Sequence, residues 1–285
     1  MKHHLTCLAL ASAMALVASN ASAHVGLSNF TMPIGASGQS TFAIANSTNE
    51  IVFNVPHGCT TAESVPAFTG PNLDTTRIEV TIPAAIVSAT TVASLRPTMD
   101  GLFGAVTVGA LDANGNVKLT WTRQSAGAGG QNFTASDNHL YKISVRLKLP
   151  NLTSATDVSI KKYQFPTVQY CSGGGTEYVM DWGTANSPTL LVFPDKRKGF
   201  NKFTLDATTT AADFTAASGT ATLAARLKSY FGDAAIVWVG KQGYSANPNT
   251  KAKIDALAAK DTTYSELGSK AGASIAPTDT IWVKY

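Results

Sequence analysis

Histidine is scarce in this chain, with five in 285 residues. Two of them, His3 and His4, stand at the extreme start. Neither of the well-known zinc spacings joins the others, His24, His57 and His139, so any metal site has to be assembled by the fold. There is no Gly-x-Ser-x-Gly elbow or comparable nucleophile and base signature, and so few imidazoles argue against a hidden catalytic triad. Cysteine is scarcer still, with three. Beyond the first residues no stretch approaches the ~20 apolar residues that a membrane span needs, so no transmembrane segment is expected in the processed chain. Charge is low and nearly balanced, 22 Lys and Arg against 18 Asp and Glu. The basic residues are scattered apart from Lys196-Arg197-Lys198, which reads as a solvated linker run. This pattern implies no nucleic-acid partner.

What the chain does have begins at its N-terminus. Lys2, an apolar run over 5–17 and small residues at Ala21 and Ala23 have the layout of a cleavable secretory signal, residues 1–23. The expected location is therefore periplasmic or secreted. Cleavage after Ala23 makes His24 the first residue. An N-terminal histidine offers a metal its α-amine and its imidazole Nδ1 together, a chelate no internal histidine can form.

Cys7 leaves with the signal. The remaining Cys59 and Cys171 form an even pair in an exported protein, whose simplest fate is a disulfide; two thiolates holding Cu(I) or zinc is the competing reading. Closing a loop of about 110 residues stabilises a fold by roughly 4–5 kcal/mol in the chain-entropy model.

From residue 24 onward Val, Leu, Phe and Ile alternate with small polar residues, which is strand composition. A first strand is expected ahead of the turn at Gly35, and others at 40–45, 51–55, 77–82, 103–108, 117–122, 140–149, 162–168, 178–182 and 189–193. The clearest is 140–149, with Ile143, Val145, Leu147 and Leu149 on one face and Lys142, Ser144, Arg146 and Lys148 on the other. Residues 83–102 read as irregular. About nine short strands at this spacing make the chain mainly β, with an immunoglobulin-like β-sandwich over 24–195. After Pro194 the texture changes: helices at 220–231 and 249–260 and strands at 234–239 and 280–284 suggest a small α+β module over 199–285, either separate or packed as an accessory layer. It has no His or Cys, so a transition-metal site inside it is not expected.

Taken singly, the candidate residues each have an ordinary structural reading. His57, in Val55-Pro56-His57-Gly58-Cys59, is expected to be an exposed but fixed position just after a strand, equally suited to bonding nearby backbone and to ligation. His139 reads as a turn residue, Glu79 as a solvated strand residue, Trp182 as a core aromatic. Met32, Met99 and Met180 are too dispersed for a copper relay and read as packing residues.

Several segments together resemble the YcnI-like family of exported bacterial copper-binding proteins: the start His24-Val25, Val55-Pro56-His57-Gly58-Cys59, Thr75-Thr76-Arg77-Ile78-Glu79-Val80, Trp121 ahead of Asp137-Asn138-His139, Phe165-Pro166-Thr167-Val168-Gln169-Tyr170-Cys171, and Asp181-Trp182. They run in the family's order from 24 to about 193. The resemblance implies an immunoglobulin-like sandwich binding one Cu(II) through the amine and imidazole of His24, a carboxylate matching Glu79, and a tryptophan matching Trp182 beside the metal. His57 is kept as a second or substitute ligand, since relatives with Pro-His-Gly-Cys often lack the Glu. Amine, imidazole and carboxylate form an N/O set suited to Cu(II). An indole over the metal limits solvent access without ligating. The implied role is copper buffering or transfer to a transporter or cuproenzyme, without enzymatic activity. Two other functions stay in view: a copper-dependent monooxygenase, which needs a second imidazole from His57 or His139, and a metal-free adhesion or assembly module.

Overall fold

A computed structural model describes residues 25–28, 40–98, 102–124, 140–152, 159–183, 186–195, 197–205, 234–267 and 279–285. The expected helix at 220–231 lies outside them. The chain is mainly β. Its strands are β1 (Gly26–Ser28), β2 (Ser40–Ile44), β3 (Thr48–Val55), β4 (Thr75–Ile82), β5 (Arg96–Pro97), β6 (Ala105–Leu111), β7 (Val117–Thr122), β8 (Tyr141–Lys148), β9 (Ser159–Gln164), β10 (Thr167–Gly173), β11 (Thr176–Asp181), β12 (Thr189–Phe193), β13 (Phe200–Leu205), β14 (Ile236–Val239), β15 (Gln242–Tyr244), β16 (Ser265–Glu266) and β17 (Thr280–Lys284). Among the described residues two α-helices accompany them, α1 (Ala84–Thr90) and α2 (Pro248–Lys260).

Period-two alternation decides which way each strand faces. In β8, Tyr141, Ile143, Val145 and Leu147 are buried, while Lys142, Arg146 and Lys148 are exposed. Ser144 departs from the expected pattern. It is buried because Thr98 covers it and its hydroxyl donates to Glu50 Oε1 at 2.5 Å.

The strands form a four-stranded sheet (β1-β3-β8-β5), a five-stranded sheet (β11-β10-β4-β7-β6) and an eight-stranded sheet (β16-β15-β14-β17-β13-β9-β12-β2). Ile51, Phe53 and Val55 of β3 and Ile143, Val145 and Leu147 of β8 share one hydrophobic cluster with Ile78, Val80 and Ile82 of β4 and Val117, Leu119 and Trp121 of β7. The inward faces of the first two sheets are thus joined through a single core, and burying these side chains is the main favourable contribution to the fold. Trp121 is fully buried, and its indole N–H donates to Thr98 O at 3.0 Å, so no polar atom is lost with it.

Two stretches differ from the sequence expectation. The strand expected at 162–168 is two strands, because the Phe165-Pro166 pair interrupts the ladder between β9 and β10, which belong to different sheets. Proline has no N–H to donate to a ladder. The region expected to be irregular after Pro83 holds α1 and a short 3-10 turn, Val92–Ser94. At seven residues α1 is too short to stand on propensity. It is held by burial of Ile86, Val87 and Thr90, and by Asn116 Oδ1, which accepts from Ala84 N at 2.9 Å.

The C-terminal strands continue a sheet that starts in the first part of the chain, since β13 pairs in parallel with β9. Ile160, Leu191 and Phe193 share a second core cluster with Phe203, Val237, Val239, Ile281 and Val283. Helix α2 is capped by Asn247, whose side chain accepts from Asn249 N and Thr250 N, with Pro248 at the first helical position.

Asp74 and Arg123 form a buried ion pair at 2.9 Å, with side chains 1% and 5% exposed, and Tyr141 OH donates to the same Asp74 oxygen at 3.3 Å. Breaking such a pair strands a charge in the interior. Arg123→Met is expected to cost about 3–5 kcal/mol in urea unfolding, and Asp74→Leu combined with Arg123→Met to cost less than the sum of the two single changes.

Candidate functional site

The first described residue, Val25, is fully buried, and β1 runs antiparallel to β3 with Gly26 opposite Asn54 and Leu27 opposite Phe53. This register brings the start of β1 to the end of β3, next to the Val55-Pro56-His57 turn. His24 itself lies outside the described residues, as do His139, Met32 and Met99.

His57 is half-buried and well fixed. Its Nδ1 lies 2.6 Å from Gly58 O, an acceptor only, so Nδ1 carries the hydrogen and donates it. In the neutral ring Nε2 then bears the lone pair, which is the form that can bind a metal. The His57 carbonyl accepts from Gln169 Nε2 at 2.8 Å, and the same amide nitrogen donates to Thr75 Oγ1 at 2.7 Å. Gln169 is fully buried and points inward from β10. Two residues on, Cys59 is bonded to Cys171 of β10, and its backbone makes a reciprocal bridge to Leu73 at 2.9 Å each way. With both sulfurs in a disulfide, the reading of two thiolates on Cu(I) or zinc is excluded.

Glu79 occupies the opposite, outward face of the five-stranded sheet. Alternation puts Arg77, Glu79 and Thr81 on that face, and the register sets Tyr170 opposite Arg77 and Val168 opposite Glu79. Arg77 stacks 3.7 Å over the Tyr170 ring and reaches Glu79 Oε1 with Nε at 3.4 Å. Lys118 Nζ sits 2.9 Å from Glu79 Oε2, to which Tyr170 OH also donates at 3.3 Å. The carboxylate is only 14% exposed and both its oxygens face cations, so it is far from the solvated residue the sequence suggested. Its hydrogen bond holds Lys118 above the ordinary lysine value, with burial opposing.

Trp182 is buried at 4%, and its backbone N–H donates to Thr167 O at 3.1 Å, where β10 begins. Just before it, Asp181 lies opposite Val168, the same residue that Glu79 faces from the other side. Glu79 and Trp182 therefore border one end of β10, whereas His57 is tied to the inward side of the Gln169 to Cys171 portion. Glu79 and His57 are not brought together: no hydrogen bond joins them, and the sheet lies between the carboxylate and the His57 carbonyl. Among the described residues no group of three or more His, Cys, Asp or Glu is placed to hold a metal. No described helix is long and apolar enough to cross a membrane.

Comparison with protein-family models and with curated proteins finds no match to this chain.

Residue-by-residue reading missed the partners of Glu79. Arg77 two positions earlier on the same strand was a visible signal, since i and i+2 share a face; Lys118 and Tyr170 needed the register. The pair also sets a pH dependence. A lysine whose value is raised on folding stabilises the fold fully below its ordinary value, and that contribution is lost as pH rises through the raised one. The Lys118 side chain is expected to titrate above 10.5 in carbon-detected NMR and to fall back towards 10.5 in Glu79→Gln.

Proposed function

We propose that this chain is an exported Cu(II)-binding protein, related to the YcnI-like family, whose site is built on the processed N-terminus at His24. It acts in the periplasm or outside the cell, in copper buffering or delivery to a transporter or cuproenzyme. The four- and five-stranded sheets are read as the layers of an immunoglobulin-like sandwich spanning 24–195, with 199–285 as an attached α+β module and no catalysis of its own.

The observation that carries this reading is the anchoring of Val25. It is buried in the core immediately before β1, whose Gly26 is in register with Asn54 near the end of β3, and His24 is one peptide bond away, about 3.8 Å between α-carbons. The nearest part of the paired strand leads directly into His57, whose Nδ1 is occupied by Gly58 O and whose Nε2 keeps its lone pair. An amine and imidazole from His24 with Nε2 of His57 form a nitrogen set that Cu(II) favours.

Glu79 is the carboxylate the resemblance implies, but to ligate it has to exchange Lys118 or Arg77 for the metal, which favours His57 as the third ligand. Trp182 is assigned the outer position beside the site. A mainly β chain with an even pair of cysteines closed in a disulfide also suits an oxidising compartment.

The test uses protein whose first residue is verified by mass spectrometry as His24, beside a form with one extra residue in front. Cu(II) is expected to bind one-to-one to the first and to lose most of that affinity in the second, read by electron paramagnetic resonance. His57→Ala is expected to weaken binding roughly tenfold or more and Glu79→Gln by less than about threefold, tenfold being about 1.4 kcal/mol. Because the α-amine (about 7.7–8.0) and imidazole (about 6.5) must both lose protons to bind, affinity is expected to fall as pH drops from about 8 to 5. Equal binding by both forms places the metal elsewhere, and no binding by either favours the adhesion module.

A further inference from the structure

The outward face of the four-stranded sheet carries charge that its own side chains do not neutralise. On β8 alternation sets Lys142, Arg146 and Lys148 outward, all exposed. Across the β5 pairing Arg96 stands directly opposite Arg146, a like-charge pair that is unfavourable in a sheet. Across the β3 pairing Arg146 faces Glu50, but that carboxylate accepts the Ser144 hydroxyl and makes no ion pair with Arg146. No described carboxylate forms a salt bridge with Arg96, Arg146 or Lys148. The outward face of the five-stranded sheet is the contrast: there Arg77 and Lys118 meet Glu79 and Glu177.

These three cations surround a cleft of about 340 Å³ between β8 and the α1 and 3-10 segment, lined also by Thr48, Thr90 and Ser94. The walls are held in place. Thr90 Oγ1 donates to Lys148 O at 2.6 Å and accepts from Lys148 N at 2.9 Å, which pins the end of α1 to β8. Arg96 Nη1 donates to the Ala93 and Leu95 carbonyls, which fixes its guanidinium at the rim. Ser94 Oγ accepts from Thr91 Oγ1 at 3.1 Å, so its own hydrogen remains available to donate.

We propose that this cleft is a binding site for a small tetrahedral oxyanion, a phosphate or a phosphomonoester group. Two guanidinium forks and an ammonium match the acceptors of such a dianion, and the hydroxyls supply neutral donors at the wall. An anion seated there relieves the Arg96 and Arg146 opposition, so binding is linked to stability. The site is separate from the proposed copper position, on the outward side of the sheet whose inward side forms the core.

Inorganic phosphate is titrated into the processed protein at fixed ionic strength, with NMR shifts of the Arg Nε–H groups and thermal unfolding as readouts. Saturable shifts at Arg96 and Arg146 with a rise in Tm are expected, and chloride at equal ionic strength is expected to give neither. Arg146→Gln and Lys148→Gln are each expected to weaken binding about tenfold or more. Lys142→Gln removes the same charge from the same strand face outside the cleft and is expected to change it by less than about twofold. Displacement of phosphate by glycerol phosphate assigns the site to a phosphomonoester group; failure of the ester to compete assigns it to the free anion. No saturable shift, an equal response to chloride, or an equal loss in Lys142→Gln overturns the proposal. Far-ultraviolet circular dichroism of each variant verifies that a loss is not unfolding.

Discussion

The Cys59 to Cys171 bond is the constraint on which the arrangement turns. It joins residues 112 apart in sequence and links the turn leaving the four-stranded sheet to the centre of β10 in the five-stranded one. Beside it, the Val55-Pro56-His57-Gly58 turn is held at this point by hydrogen bonds, from Gln169 to His57 O and the reciprocal pair between Cys59 and Leu73. With it, the end of β3, the start of β1 and the inward side of β10 are locked into one corner of the core. It is at that corner that we propose the metal is bound. A chelating N-terminus is of use to a metal only if the residue after it is immobilised, and Val25, wholly buried, meets that condition.

The two outward sheet faces show what register does to charge. On the five-stranded sheet a basic residue and an acid alternate along β4, and neighbouring strands supply Lys118 and Tyr170 to the acid, so the charges cancel in place. On the four-stranded sheet three cations and Ser144 share the outward face of β8 and a fourth cation is opposite, with one acid, Glu50, that accepts from Ser144. The same period-two rule builds both faces. Only the identity of the residues two positions apart makes one face self-neutralising and leaves the other basic, which is why we assign ligand recognition to the second.

Much of this architecture was legible in the residues. β4, β7 and β8 follow their alternation closely, and the helix expected at 249–260 is present as Pro248–Lys260. The pairing of Cys59 with Cys171 followed from compartment and count. What escaped was whatever depends on contacts remote in sequence. α1 has too few residues to show a helical period and forms because Ile86 and Val87 find a core and Asn116 supplies a cap. The break at Phe165-Pro166 hides inside a continuous apolar and polar alternation, and only the assignment of its two halves to different sheets reveals it. Of the candidate site, the fixed His57 and the buried Trp182 were readable, but the cations on Glu79 come from two other strands, and so its engagement was not.

The central claim is the position of the metal at the start of β1, and paramagnetic broadening tests it directly. Substoichiometric Cu(II) added to isotopically labelled protein that begins at His24 broadens only the signals near the bound ion. Selective loss of the Val25 amide and of signals from Val55 to Gly58, including the His57 ring, is expected, while Arg146, Leu147 and Lys148 at the far end of β8, paired with Glu50 to Thr48, stay sharp. Broadening centred on Arg77, Lys118 and Tyr170 with Val25 untouched would contradict it.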